Sequence, residues 1–249
     1  MRTSENRVLA LSPERILGLL SDGEIEVEGL IPWSSNATLL VTIGDEELTT
    51  LAVYKPQDGE RPLWDFIPGT LGMRETAAYL LSEALGWSLI PPTVMREGPY
   101  GLGSVQFFVH SQEDAHFFTV QEDPGYEGDL KRLAAFDVIS NNADRKAGHC
   151  LLDLEGKLWA IDNALCFHEE AKLRTVIWDY ARETLPPQIV ADLRALRPGL
   201  EAGTSVRNAL DQLLSKAEVA ALVRRLDRLL EAGRFPEPGP ERAVPWPLF

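Results

Sequence analysis

The stretch Ser140-Asn141-Asn142-Ala143-Asp144-Arg145-Lys146-Ala147-Gly148-His149 decides how this chain is read, together with Trp159-Ala160-Ile161-Asp162-Asn163-Ala164-Leu165 a short hairpin later. The first run has no apolar period and crowds Asn, Asp, Arg, Lys and His into one segment. Before it, Leu130, Leu133, Ala134, Phe136, Val138 and Ile139 carry a helical pattern introduced by Asp129 as cap. After it, an apolar strand from Cys150 and a second over Leu158 to Ile161 flank the turn Leu154-Glu155-Gly156-Lys157. A polar loop held between rigid elements is where chemistry tends to sit. Asp144 is its centre, and Asp162 ends the returning strand 18 residues later. The hairpin predicts that the two acids face each other.

Two facing acids suit phosphoryl transfer. One can position or deprotonate an acceptor hydroxyl while the other holds the divalent ion that neutralises nucleotide phosphates. The run N-x-D-R-x-x-x-H followed by I-D-N-A resembles the catalytic loop and metal-binding strand of the phosphatidylinositol 3-/4-kinase-like branch of the protein-kinase-like fold, with the D-N dipeptide where protein kinases have D-F-G. The resemblance implies an α+β, two-lobed molecule: an N-terminal lobe of antiparallel sheet plus one main helix, and a mostly helical C-terminal lobe. It also implies ATP and Mg²⁺ or Mn²⁺ in the cleft between them. Arg145 and Lys146 would meet the γ-phosphate or form salt bridges within the loop.

Working outward, Ser12-Pro13-Glu14 starts a short helix that Asp22-Gly23 ends. From Glu24 the period becomes two. Ile25 and Val27, then Leu39, Val41 and Ile43, then Leu51, Val53 and Lys55 predict a three-stranded meander. Its first turn, Pro32 to Ala37, contains Ser34, Ser35 and Asn36, small polar residues that can cradle phosphate. By resemblance it is the phosphate loop, although the family's glycines are missing. Lys55 matches the strand lysine that pairs with nucleotide phosphates and a helix glutamate. The helix over Arg74 to Gly86 offers Glu75 and Glu83, and Glu75, on the buried edge in an E-x-A-A pattern, is the expected partner. Two more strands complete a five-stranded lobe. Gln106 would stand at the back of the pocket, and the hinge Phe107 to His110, through the backbone of Phe107 and Val109, would meet the adenine edge.

The segments so defined are a helical extension over 1–23, the sheet lobe over 24–110, the helical lobe over 111–233 and a tail over 234–249. The tail holds five of the 17 prolines, so it cannot prolong the last helix and is expected to run extended over the surface. Helical runs over Pro187 to Leu196, Ser205 to Leu214 and Ser215 to Ala232 would close the second lobe.

His149 departs from the family pattern, which has a metal-ligating asparagine five residues after the catalytic aspartate. It would act as a metal ligand beside Asp162 or as a hydrogen-bond donor. Two readings from other classes remain beside the phosphotransferase: a nucleotide-binding pseudokinase without transfer, and a zinc site built from His149, Cys150, Cys166 and His168. The acceptor, protein or small molecule, is left open.

Composition narrows the partners. With 24 Lys and Arg against 38 Asp and Glu, the net charge of −14 disfavours nucleic acid and anionic membrane surfaces. Two cysteines make no disulfide framework and fit a reducing cytoplasm. No run reaches the length of a membrane span.

Overall fold

The computed structural model describes residues 12–32 and 36–249. Helix α1 (Pro13–Asp22) begins as its sequence suggests: Ser12 Oγ accepts the Arg15 N–H at 3.3 Å, and Pro13 takes the first helical position, where a missing N–H costs nothing. Strands β1 (Glu24–Leu30), β2 (Leu39–Gly44) and β3 (Thr49–Pro56) form the meander. After helix α2 (Leu71–Ala84), strands β4 (Thr93–Gly98) and β5 (Gly101–Phe107) complete one antiparallel sheet in the order β1-β2-β3-β5-β4. Alternation along β2 turns Leu39, Val41 and Ile43 inward, where they meet Leu20 of α1, Ala52 and Tyr54 of β3 and Val105 of β5 in one apolar cluster. The α1 helix is therefore packed onto the sheet through Leu20.

Helix α2 starts three residues before the expected Arg74. The reason lies outside the helix: Glu60 accepts the N–H groups of Leu71 at 3.0 Å and Gly72 at 3.3 Å, satisfying amides that would otherwise be orphaned. At its other end Gly86, with φ +68°, lets the chain leave in the left-handed conformation.

The second lobe contains α3 (Phe117–Val120), α4 (Glu127–Ser140), the hairpin β6 (Cys150–Leu152) and β7 (Leu158–Ala160), and helices α5 (Pro187–Gly199), α6 (Ser205–Asp211) and α7 (Lys216–Ala232). Asp129 does not cap α4. A 3₁₀ turn over Pro124–Tyr126, itself capped by Asp123, runs straight into the helix and moves Asp129 into the first turn, where it pairs with Arg132. Helix α7 has a full capping box: Ser215 Oγ accepts the Glu218 N–H, and Glu218 accepts the Ser215 N–H.

The main core joins Ala77, Ala78 and Leu81 of α2 to Phe136 and Ile139 of α4 and to Leu222 and Leu226 of α7. Buried Arg74 adds a polar tie, donating to the Cys166 carbonyl and forming an ion pair with Glu218. Helix α2 is thus fixed to both lobes. The tail runs extended and mostly exposed, anchored at a few points. Phe235 is buried in the core, and residues 243–249 return to the loop after α4. Among the described residues no helix is long and apolar enough to cross a membrane.

Candidate active site

A cleft of about 530 Å³ lies between the lobes, with Val53, Lys55, Glu75, Gln106, Asp162 and Phe249 among its walls. Lys55 sits near the end of β3, and its Nζ donates to Glu75 Oε1 at 2.9 Å and to Asp162 Oδ1 at 3.1 Å. Two elements place those acceptors. Glu75 lies in the first turns of α2, fully buried. Asp162 follows β7 with φ +57°, a left-handed conformation that an aspartate tolerates better than most residues. The arrangement sets the charges. Burial works against the Lys55 ammonium, but Asp162 and Glu75 outweigh it and hold its pKa above the usual lysine value. Burial raises the Glu75 carboxyl despite Lys55, and Glu75 Oε2 has no hydrogen-bond partner among the described residues. Lys55 chiefly draws Asp162 well below the ordinary carboxylate range, and 48% of its side chain remains exposed. Asp162 is therefore an ionised, reachable carboxylate at neutral pH.

Asp144 stands beside this group rather than in the cleft wall. Its carboxylate is 3.4 Å from Lys146 Nζ. Burial raises its pKa, the Lys146 charge opposes that, and the negative charge of Asp162 adds to it. The loop geometry comes from Asn141 and Asn142. Asn141, with φ +56°, ends α4, and Asn142 Oδ1 accepts the Asp144 N–H at 2.9 Å.

Arg145 is corrected by the structure. Expected to act in catalysis, it is turned inward with no exposed surface. It donates from Nε and Nη2 to Asp137, from Nη2 to Asn163 Oδ1 at 2.6 Å and from Nη1 to the Ile161 carbonyl at 2.9 Å. The salt-bridge alternative is the one realised, and its partner is on α4. Lys146 faces the cleft instead.

His149 lines the cleft, with Nε2 3.4 Å from Asp162 Oδ2. Its Nδ1 accepts the Lys146 N–H at 3.3 Å, which assigns the proton of a neutral ring to Nε2. Burial lowers its pKa to about 4, so the ring is neutral at pH 7. Gln106 is buried at the back and donates to Thr93 Oγ1 at 2.8 Å. In the hinge, the Phe107 N–H is committed to the Pro92 carbonyl and the Phe108 N–H to that of Leu51, so neither is free for a base edge. The Val109 N–H has no partner among the described residues, and Val109 lines the cleft. Asn36 lines it too, and its Oδ1 accepts the Arg61 N–H at 2.8 Å. Ser34 and Ser35 lie outside the described residues.

The zinc arrangement does not form. Cys150 and Cys166 are buried free thiols whose pKa burial pushes up to about 12, and no group of three His, Cys, Asp or Glu side chains converges among the described residues. The donors present fit a hard divalent cation better, since magnesium is commonly held by one or two carboxylates together with substrate phosphates and water. Asp162 is the exposed carboxylate available for that.

Two contributions to the cleft were invisible in sequence. Glu60 both lines it and caps α2, but its distance from the helix disguises a cap. Phe249 reaches it because the Ala147 N–H donates to the Leu248 carbonyl at 2.8 Å, while the Thr175 N–H and Trp178 Nε1 hold the Ala243 carbonyl at 3.1 and 2.9 Å. Its ring packs edge-on against His116, 4.8 Å between centroids, and lies over Gly148, where a Cβ would meet it at 3.4 Å. No local pattern announces such a return.

A sheet lobe and a helical lobe enclosing a lysine-glutamate-aspartate cleft define the protein-kinase-like fold. In agreement, the Golgi casein kinase solved with Mn/ADP superposes with a TM-score of 0.53 over 88% of this chain and 75% of that one, at 15% identity, a likeness of fold alone. No protein-family model matches the chain. It belongs to the family of Protein Rv2133c of Mycobacterium tuberculosis, to which it is 40% identical over 93% of its length and 94% of the relative's. A more distant similarity, 29% over 51% of this chain and 26% of the other, is to phosphatidylinositol 4-kinase gamma 4 of Oryza sativa.

Proposed function

We propose that the protein is an ATP-dependent phosphotransferase that passes the γ-phosphoryl group to a hydroxyl of a protein or small-molecule acceptor. The observation that carries this is Lys55 Nζ held between buried Glu75 and exposed Asp162 on the wall of the interlobe cleft. Lys55 then donates to nucleotide phosphates while Glu75 fixes its position. The Val109 N–H meets the adenine edge, and Gln106 closes the back. Asp162 would hold a divalent cation, which when bound neutralises phosphate charge. The Nε2–H of His149 directs an oxygen of Asp162, which favours the hydrogen-bond-donor role over that of a metal ligand.

Asp144 positions the acceptor and takes its proton. The acceptor oxygen forms a bond to the γ-phosphorus as the bond to the leaving ADP oxygen breaks. The burial that raises the Asp144 pKa brings it nearer to that of a useful base. The Mn/ADP bound in the solved Golgi casein kinase, which shares this fold, supports the same reading of this cleft.

Calorimetric titration of ATP with Mg²⁺ or Mn²⁺ tests the binding, and a γ-labelled ATP turnover assay with offered hydroxyl acceptors tests the transfer. Saturable metal-dependent binding with slow turnover is expected. No binding at millimolar ATP with either metal overturns the reading, and binding without turnover or transfer makes the protein a nucleotide-binding pseudokinase.

A further inference from the structure

A second cavity, of about 620 Å³, lies in the helical lobe between the last turn of α4, residues 171–173, one face of α7 and residues 234–237, and it shares no lining residue with the cleft. This volume is in the range of small-molecule sites. Helix α7 turns Arg225, Arg228, Leu229 and Ala232 toward it, the i, i+3, i+4, i+7 set of a single helix face. Leu173, Leu229 and Phe235 supply apolar wall. With Arg182 and Arg234, four arginines border the cavity against one carboxylate, Glu237, which is already engaged by Arg182.

The remaining three arginines have no acidic partner among the described residues. Arg225 is pinned by two carbonyls, its Nε donating to Ile139 at 2.8 Å and its Nη1 to His168 at 3.1 Å. Its Nη2 is buried without a hydrogen-bond partner among the described residues. Burial, with the like charges of Arg224 and Arg228 adding to it, lowers its pKa to about 10. Arg228 and Arg234 are exposed, and their side chains make no hydrogen bond or ion pair among the described residues. In a chain with 38 acidic residues and a charge of −14, an apolar cavity bordered by three uncompensated guanidinium groups is a local reversal of the surface. Guanidinium groups bind carboxylate and phosphate through paired charge-assisted hydrogen bonds, and an idle, desolvated donor gains most from such a partner.

We infer that this cavity binds a small amphiphilic anion, with an alkyl body against Leu173, Leu229 and Phe235 and a carboxylate or phosphate head on Arg225, Arg228 and Arg234. The wall formed by residues 171–173 is joined to the catalytic loop, since Asn141 Nδ2 donates to the His168 and Glu170 carbonyls and its Oδ1 accepts the Lys172 N–H. Binding at this cavity needs no nucleotide, so its test stands apart from the phosphotransferase reading.

The experiment is calorimetry of the full chain with octanoate, octyl phosphate, 1-octanol and inorganic phosphate, each below its aggregation limit. Octanoate, octyl phosphate or both are expected to bind more tightly than the neutral and the bodyless probes, and the stronger of the two identifies the head group. Arg228→Glu and Arg234→Glu, at exposed positions without partners, should each weaken binding about tenfold or more while leaving the melting temperature near wild type. Ala232→Trp should block the cavity and abolish binding. The inference is overturned if neither anionic amphiphile binds, if 1-octanol or inorganic phosphate binds as tightly, or if both charge reversals leave the affinity unchanged.

Discussion

Replacing Arg145 by methionine separates a structural role from a catalytic one. The guanidinium makes three hydrogen bonds to Asp137, at 3.0 to 3.2 Å, one to Asn163 and one to the Ile161 carbonyl, and neither Arg145 nor Asp137 has exposed surface. Methionine fills much of the stem's volume but strands the carboxylate, to which, among the described residues, Asn142 Nδ2 and Thr175 Oγ1 alone still donate. Removing one partner of a buried ion pair costs about 3–5 kcal/mol, which in a chain of this size lowers Tm by roughly 10 °C. In Arg145→Met/Asp137→Asn the amide oxygen still accepts from Asn142 or Thr175 and no charge is stranded, so part of the loss should return. Differential scanning calorimetry of the wild type, the two single variants and the double variant measures the cycle. Melting of Arg145→Met within about 2 °C of wild type would refute the structural argument, as would a double variant no more stable than the single. A sharp loss of phosphate transfer at unchanged Tm would return Arg145 to the chemistry.

Three further outcomes are expected. Asp144→Asn should abolish transfer while leaving ATP affinity nearly unchanged, whereas Asp162→Asn should weaken metal-dependent ATP binding; calorimetry and turnover on the same preparations distinguish the two, and an equal loss of affinity in both would contradict the assigned roles. His149 titrates at about 4 when folded against 6.5 as its ordinary value, so the unfolded chain binds more protons between those values. Its contribution is therefore complete above pH 6.5 and is lost as the pH falls toward 4, by at most about 3 kcal/mol, and urea denaturation at stepped pH should show wild type losing stability relative to His149→Gln across that window. Phe249→Ala should raise the Kd for ATP several-fold without changing the melting temperature, as read by nucleotide titration and thermal scans, because the ring is a largely exposed wall of the cleft; unchanged affinity would remove Phe249 from the site.

The parts of this molecule written locally were legible in its residues. Alternation from Ile25 to Lys55 marked the meander, Ser12-Pro13 marked α1, and the spacing of Asp144 and Asp162 placed a polar loop before a hairpin. Features set by distant partners were not legible. Arg145 next to Asp144 read as a group for the γ-phosphate or for a salt bridge of the loop, and nothing local named Asp137 and Asn163, which draw it inward. Helix α2 began early because of a glutamate in the preceding loop. The hinge amides of Phe107 and Phe108 were equally hidden, since their acceptors belong to the residue before β4 and to β3. Periodicity reports which face of an element is buried; it carries no record of which far residue completes a charge or a hydrogen bond.

The return of the tail also orders events during synthesis. The sheet, α2 and the loop carrying Asp144 all leave the ribosome before residues 243–249, whose carbonyls accept from Thr175 and Ala147. The bond from the Ala147 N–H to the Leu248 carbonyl joins residues far apart in the sequence, and the loop-closure entropy of such a contact is met only once both ends are present. Closure of that side is a long-range contact made late, and it uses main-chain bonds that do not depend on the identity of the tail's side chains.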